Sequence, residues 1–180
     1  LTTFYGGESL AGGALKETGT ANWNSPNKTS NESGFTARPG GWRDMGGGFY
    51  GIGDYGHWWS STETYETNAY LRIMINSNFN VTRTWHSKGE GKSVRCLKNP
   101  PGTVEDYDGN FYTTDTIGTQ IWMGENLKTT HYNDGTSIPL VSNGNEWENL
   151  SSPGYCWYDN DDLNNKFTYG ALYNWYTVNT

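Results

Sequence analysis

The acidic run Asp159-Asn160-Asp161-Asp162, with Asn164 close behind, holds the residue types that bind a hard cation. Calcium collects roughly six to eight oxygens from carboxylates, amides and backbone carbonyls, and such a cluster can supply several of them. The spacing lacks the glycine and the terminal glutamate of an EF-hand loop. Asp159, Asp161 and Asp162 are therefore a candidate Ca2+ site, with a solvated acidic turn as the alternative. A second acidic stretch, Glu105-Asp106-Tyr107-Asp108-Gly109, reads more simply as an Asp-Gly turn.

The residues of catalysis are scattered. His57, His86 and His131 lie in unrelated segments, and the chain has no H-E-x-x-H, no G-x-S-x-G and no glycine loop that opens a helix to cradle phosphate. No enzyme activity is expected from that pattern. Cys96 and Cys156 either pair in an oxidising compartment or remain separate thiols. Val94 and Leu97 place Cys96 in what reads as a buried strand, where thiols are usually inert.

The elements that position these groups follow from periodicity. NAYLRIMINS (68–77) alternates Tyr70, Arg72 and Met74 against Leu71, Ile73 and Ile75, the period of a half-buried strand. A tight Asn-Ser-Asn turn joins it to NFNVTRTW (78–85), and KSVRCLK (92–98) reads as a third strand, so 68–98 forms an antiparallel meander. Alternation by itself turns Leu71, Ile73 and Ile75 to the core and Tyr70, Arg72 and Met74 to solvent. Trp85 and His86, beside the next turn, have the character of exposed contact residues, because a rigid aromatic gains area at low entropy cost.

Elsewhere the signals are shorter. A helix tail stops at Gly6-Gly7, and a second short helix covers 9–16 with Ser9 as its N-cap. A long Asn/Ser/Gly/Pro-rich loop follows, anchored by Trp23, Phe35 and Trp42, and strands are expected at 49–51 and 57–60. After Pro100-Pro101 come strands near 110–116 and 119–123 with Gly118 in their turn, then loop over 125–145. Tyr169, Leu172, Tyr173 and Tyr176 predict a helix over 169–177. With 24 Gly, 13 Tyr and 9 Trp, the chain favours short strands and ordered loops around an aromatic core. The expected class is α+β, with short antiparallel strands and a few short helices. A net charge of −7 and the lack of a basic stripe argue against nucleic acid as a partner. No apolar window reaches the length of a membrane-spanning helix, so membrane insertion is not expected.

Several distinctive words carry a resemblance. DYDGNFYTT, IGTQIWMGENLKTTHYNDGT, GYCWYDND and KFTYGALYNWYTVNT resemble the opening of the Fibrobacter succinogenes major paralogous domain. GGESLAGGALKETGTANWNSPN, NESGFTARPGGWR, GHWWSSTE and GKSVRCLK resemble its closing half. The halves stand in reversed order, 1–98 like the end and 103–180 like the beginning, with 99–102 as the joint and the family's connecting segment missing. They make up one composite unit within the chain or parts of two neighbouring units.

The resemblance implies a C-type-lectin-like fold shared with formylglycine-generating enzymes, and export to the bacterial cell surface. It also links GHWWSSTE through SVRCL to the variable region of retroelement-diversified lectin-fold proteins. On that match the ligand contacts are Leu71, Ile73, Ile75, Ser77, Thr82, Thr84, Trp85, His86 and Ser87, and the tyrosine side of the strand faces inward. The implied function is a non-catalytic extracellular recognition or adhesion module that binds a glycan or protein through 68–87, with Ca2+ as the one cofactor to consider. The alternative is a structural subunit of a surface filament or tandem array that shares half-domains with its own copies. Cys96 as a formylglycine-type nucleophile is a third reading, but a fold does not transfer an activity.

Overall fold

A computed structural model describes residues 1–98 and 104–178. The joint at 99–102 and the Thr103 boundary lie outside the described residues. The protein is α+β. Strands β1 (Gly40–Arg43), β2 (Phe49–Ile52), β3 (Tyr55–Tyr65), β4 (Asn68–Ile75) and β5 (Val81–Ser87) form a sheet in the order β2-β1-β3-β4-β5. The second half supplies short strands: β6 (Leu97–Lys98), β7 (Val104–Glu105), β8 (Phe111–Tyr112), β9 (Thr114–Ile117), β10 (Gln120–Met123), β11 (Tyr155–Cys156) and β12 (Leu172–Tyr173). They make a β6-β10-β9 sheet and two two-stranded ladders. Four short helices complete the fold: α1 (Gly12–Leu15), α2 (Gly144–Glu148), α3 (Asp162–Tyr169) and α4 (Trp175–Val178).

The meander forms with a later second strand than expected, β5 running from Val81 instead of from residue 78, because Lys16 claims the turn. Its buried ammonium donates to the carbonyls of Ile75 (2.7 Å) and Asn78 (2.8 Å), which holds 75–78 as a loop. The third expected strand, 92–98, is reduced to β6 and isolated bridges that tie Gly91 to Arg43, Lys92 to Tyr173 and Ser93 to Trp58.

The expected helix over 169–177 does not form. Gly170 takes a positive φ of 74° after α3, and β12 and α4 follow as separate elements. Tyr169, Leu172 and Tyr173 are held by different neighbours, so their spacing mimics a helical face without making one. β1, inside the expected long loop, was invisible to alternation. Its sequence GGWR has no period of two, and it pairs with β3 through two glycines, Gly41 opposite Gly56.

Residues 1–98 and 104–178 pack into one another. Trp59 Nε1 donates to the Tyr173 carbonyl (2.9 Å), Trp175 Nε1 to that of Ser60 (2.8 Å), and Trp58 Nε1 to Asn126 Oδ1 (2.9 Å). Indoles suit this role because they bury a large area and still satisfy one donor. Trp59, Ala69, Leu71 and Trp175 form a cluster on one side of the meander, while Trp58, Met74 and Val81 join Trp23 and Phe35 on the other. Both faces of β4 are thus partly covered.

Candidate functional site

Directly opposed residues in an antiparallel ladder share a face. Leu71 lies opposite Trp59 and Thr84, Ile73 opposite His57 and Thr82, Ile75 opposite Tyr55, and Ala69 opposite His86. Tyr70 lies opposite Trp85, Arg72 opposite Arg83, and Asn68 opposite Ser87. The nine candidate contacts therefore divide. Ile73, Ile75, Thr82, Thr84 and His86 share one face and are exposed or half-buried; Trp85 and Ser87 belong to the other; Ser77 is exposed in the turn.

Leu71 is a correction. It is 0% exposed and packed among Trp59, Ala69 and Trp175, so it contributes to the core and not to a contact surface. Met74, read from alternation as solvent-facing, is also buried, at 2% exposure, because α1 and Val81 cover that end of the opposite face. Trp85 is 52% exposed and packs edge-on against Tyr65, while Arg83 sits 3.6 Å over the Tyr70 ring.

The face that keeps Ile73, Thr82 and His86 is extended by residues the alternation did not mark. Trp42 of β1 stacks parallel on His57 of β3 (centroids 4.6 Å apart, planes at 1°) and beside Tyr50 of β2 (5.6 Å). Tyr55 meets Trp42 edge-on at 5.7 Å, and His86 meets His57 edge-on at 6.1 Å. The row requires Gly51: its φ is +74°, and a Cβ there would come within 2.5 Å of the Trp42 ring. A glycine beside an aromatic on the neighbouring strand was the signal available in FYGIGDYGH.

Charge braces the row from behind. Glu90 accepts from Lys92 Nζ (2.6 Å) and pairs with His86 Nδ1 (3.0 Å), and Lys92, fully buried, lies 4.9 Å over the Trp59 ring. Burial pushes the Glu90 carboxyl up, but the hydrogen bonds and charges of His86 and Lys92 together hold it below its ordinary range. His57 is 3% exposed with Nδ1 unpartnered. Burial first, then the nearby Lys92 and His86, push it well below the ordinary imidazole value of 6.5, so it is neutral.

A two-step acid response follows. The unfolded chain protonates His57 near 6.5 while the folded chain resists, so stability falls as pH drops below 6.5. A second loss comes at lower pH, as the depressed Glu90 carboxyl takes up its proton and releases His86 and Lys92. Urea unfolding between neutral and acid pH should show both limbs, with His57→Phe removing the upper one and Glu90→Gln reducing the lower.

The acidic run serves a structural purpose. Asp161 caps α3, its carboxylate accepting from Asn164 N (3.1 Å) and Asn164 Nδ2 (2.6 Å). Asp159 and Asn160 take left-handed φ of 52° and 55° to turn into that cap. Asp159, Asp161 and Asp162 are not gathered as ligands, and no group of three or more His, Cys, Asp or Glu suited to a metal occurs among the described residues. The Asp106–Asn110 turn closes the β7–β8 hairpin, and Asp108 pairs with His131 Nδ1 at 2.5 Å. Cys96 and Cys156 are free thiols; burial pushes Cys156 up to about 12 and also raises Cys96, although Cys96 as a residue is exposed.

The model of the Fibrobacter succinogenes major domain matches residues 1–98 and 116–180. The chain belongs to this family. No curated protein and no solved structure matches it. The family match covers β1–β5, and with them the whole aromatic row of this Fibrobacter succinogenes major domain, as well as the Asn126 and Tyr173 anchors that fix the row to the second half. Among the described residues no helix is long and apolar enough to cross a membrane.

Proposed function

We propose that this domain is a non-catalytic recognition module, lectin-like in fold and displayed on a bacterial cell surface, which lays a glycan or protein ligand across the face built from Tyr50, Trp42, Tyr55, Ile73, Thr82 and His86. The observation that carries this reading is the row of rings itself. Trp42 is clamped between Tyr50 and His57, so its edge is presented without loss of side-chain freedom on binding. Thr82 and Thr84 of β5 add hydroxyls to the same sheet face, the mix of rigid aromatic anchors and small polar groups that contact surfaces use.

The test uses an array of immobilised bacterial and host glycans, together with a panel of extracellular proteins, probed with the domain. Tyr50→Ser and Thr82→Arg alter exposed side chains and leave the core intact. Each is expected to weaken a detected interaction roughly tenfold, about 1.4 kcal/mol. Binding that ignores both substitutions but is lost on Trp85→Ala would place the ligand on the opposite face and sink the proposal.

A second reading, a structural subunit of a surface array, is favoured by one observation: Leu163 and Phe167 stand one turn apart on α3, 88% and 70% exposed. Such an array would join copies by sharing half-domains or by contact between complete units.

A further inference from the structure

A shallow depression of about 500 Å³ forms where the first residues of the chain meet the β4–β5 turn. Phe4, Leu10 and Phe79 line it and are 62%, 60% and 43% exposed, so these walls are open and belong to no core cluster. Gly12 makes the junction possible. Its N–H donates to the Phe79 carbonyl (2.8 Å), and a Cβ there would come within 2.7 Å of that oxygen. Ser30 N in turn donates to the Gly13 carbonyl (2.9 Å), which seats residues 28–32 along the rim.

Lys28 and Glu32 stand on that rim, both exposed. Neither head group has an ion pair or a hydrogen bond among the described residues. Three large apolar side chains gathered at this exposure mark a contact surface and not ordinary scatter. The two free charges say what it contacts. An acidic partner would satisfy Lys28 but meet Glu32 with a like charge, and a basic partner would do the reverse. A second copy turned by a two-fold axis satisfies both, because an isologous contact repeats every pairing in the two directions.

We propose that this surface pairs with the same surface of a second copy about a two-fold axis. Phe4, Leu10 and Phe79 pack at the centre, Lys28 faces Glu32 of the second copy, and Glu32 faces its Lys28. Removing the apolar centre from water drives such a contact, while the rim charges select the partner and fix the register. A two-fold contact closes on itself, so it yields a dimer with two ligand faces and does not grow into a filament. The inference is independent of the proposed ligand face, because none of Tyr50, Trp42, Tyr55, Ile73, Thr82 and His86 lines the depression.

Light scattering and sedimentation of the intact chain test it. The wild type should pass from monomer to dimer, and no further, as its concentration rises, and Phe4→Ser with Leu10→Ser should abolish the dimer. Lys28→Glu alone and Glu32→Lys alone each set like charges against one another twice, so each should weaken dimerisation roughly tenfold. Mixed together, the two single variants should recover a heterodimer about as tight as the wild-type dimer, and a chain carrying both exchanges should recover a homodimer. All four side chains are exposed, and an unchanged circular dichroism spectrum establishes that the fold is intact. A wild type that is monomeric at every concentration overturns the proposal and leaves the surface to another partner. A dimer that survives Phe4→Ser with Leu10→Ser, or that ignores the single charge exchanges, overturns it equally. So does a mixture of the two charge variants that associates no better than either one by itself.

Discussion

Replacing Asn126 with leucine should cost the domain about 4 kcal/mol, a large part of the roughly 5–15 kcal/mol that holds such a fold together. Asn126 is 5% exposed and makes four hydrogen bonds. Its Oδ1 accepts from Trp58 Nε1 (2.9 Å) and Arg95 Nε (2.8 Å); its Nδ2 donates to the Tyr169 carbonyl (2.8 Å) and Ser93 Oγ (3.2 Å). Leucine has the same branched outline and a larger volume, so the loss would come from stranded partners and crowding and not from a cavity. Each buried group left unsatisfied costs about 1–3 kcal/mol, and a guanidinium more. Arg95 keeps its bonds to the carbonyls of Phe35, Met123 and Thr36, which limits the damage. Urea unfolding should show a lower midpoint with unchanged slope. A loss below about 1 kcal/mol would mean that the two halves are not joined through this residue.

Arg43→Met should cost about 3 kcal/mol for a related reason. Arg43 is 1% exposed, and its guanidinium donates to the carbonyls of Val141 (2.6 Å), Ser142 (3.1 Å) and Gly47 (3.1 Å). It lies 4.5 Å from the Trp147 ring and 4.8 Å from that of Phe49. Methionine retains the stem but leaves three carbonyls without their donor and two rings without their cation. The discriminating variant is Arg43→Lys. The three carbonyls are served by three separate nitrogens, Nε, Nη1 and Nη2, which a lysine ammonium cannot replace from one point, so it should recover little of the loss. Thermal and urea melts of the two variants provide the comparison. Near-complete rescue by lysine would show that charge, and not the fork of donors, is what the site requires.

How far the site could be read from the sequence differs from residue to residue. Ile73, Ile75, Thr82, Thr84 and His86 came from the resemblance, since alternation by itself turned Ile73 and Ile75 to the core, and the ladder register places them on one face. Trp42 and Tyr50 did not, because they reach that face through a short edge pairing, Trp42 opposite Tyr50, that has no local pattern. The acidic run was visible as chemistry, but its use was not. Whether Asp161 holds a cation or caps a helix depends on whether residues 162–169 coil, and their alternation of polar and apolar residues was overshadowed by the aromatic spacing of 169–176. Asn126 lay in an expected loop, and nothing local distinguishes a solvated asparagine from one at the centre of four bonds.

By itself, the sequence determined the α+β class, the family and the antiparallel pairing of β4 with β5, since these rest on short-range periodicity and on distinctive words. Only the tertiary structure decided which side of β4 is open. Leu71 and Ile73 have the same chemistry and parity, yet Trp175, more than a hundred residues away in the chain, covers one and leaves the other half-exposed. A strand whose two faces are both partly apolar carries no preference strong enough to orient itself, so burial is settled by what packs against it.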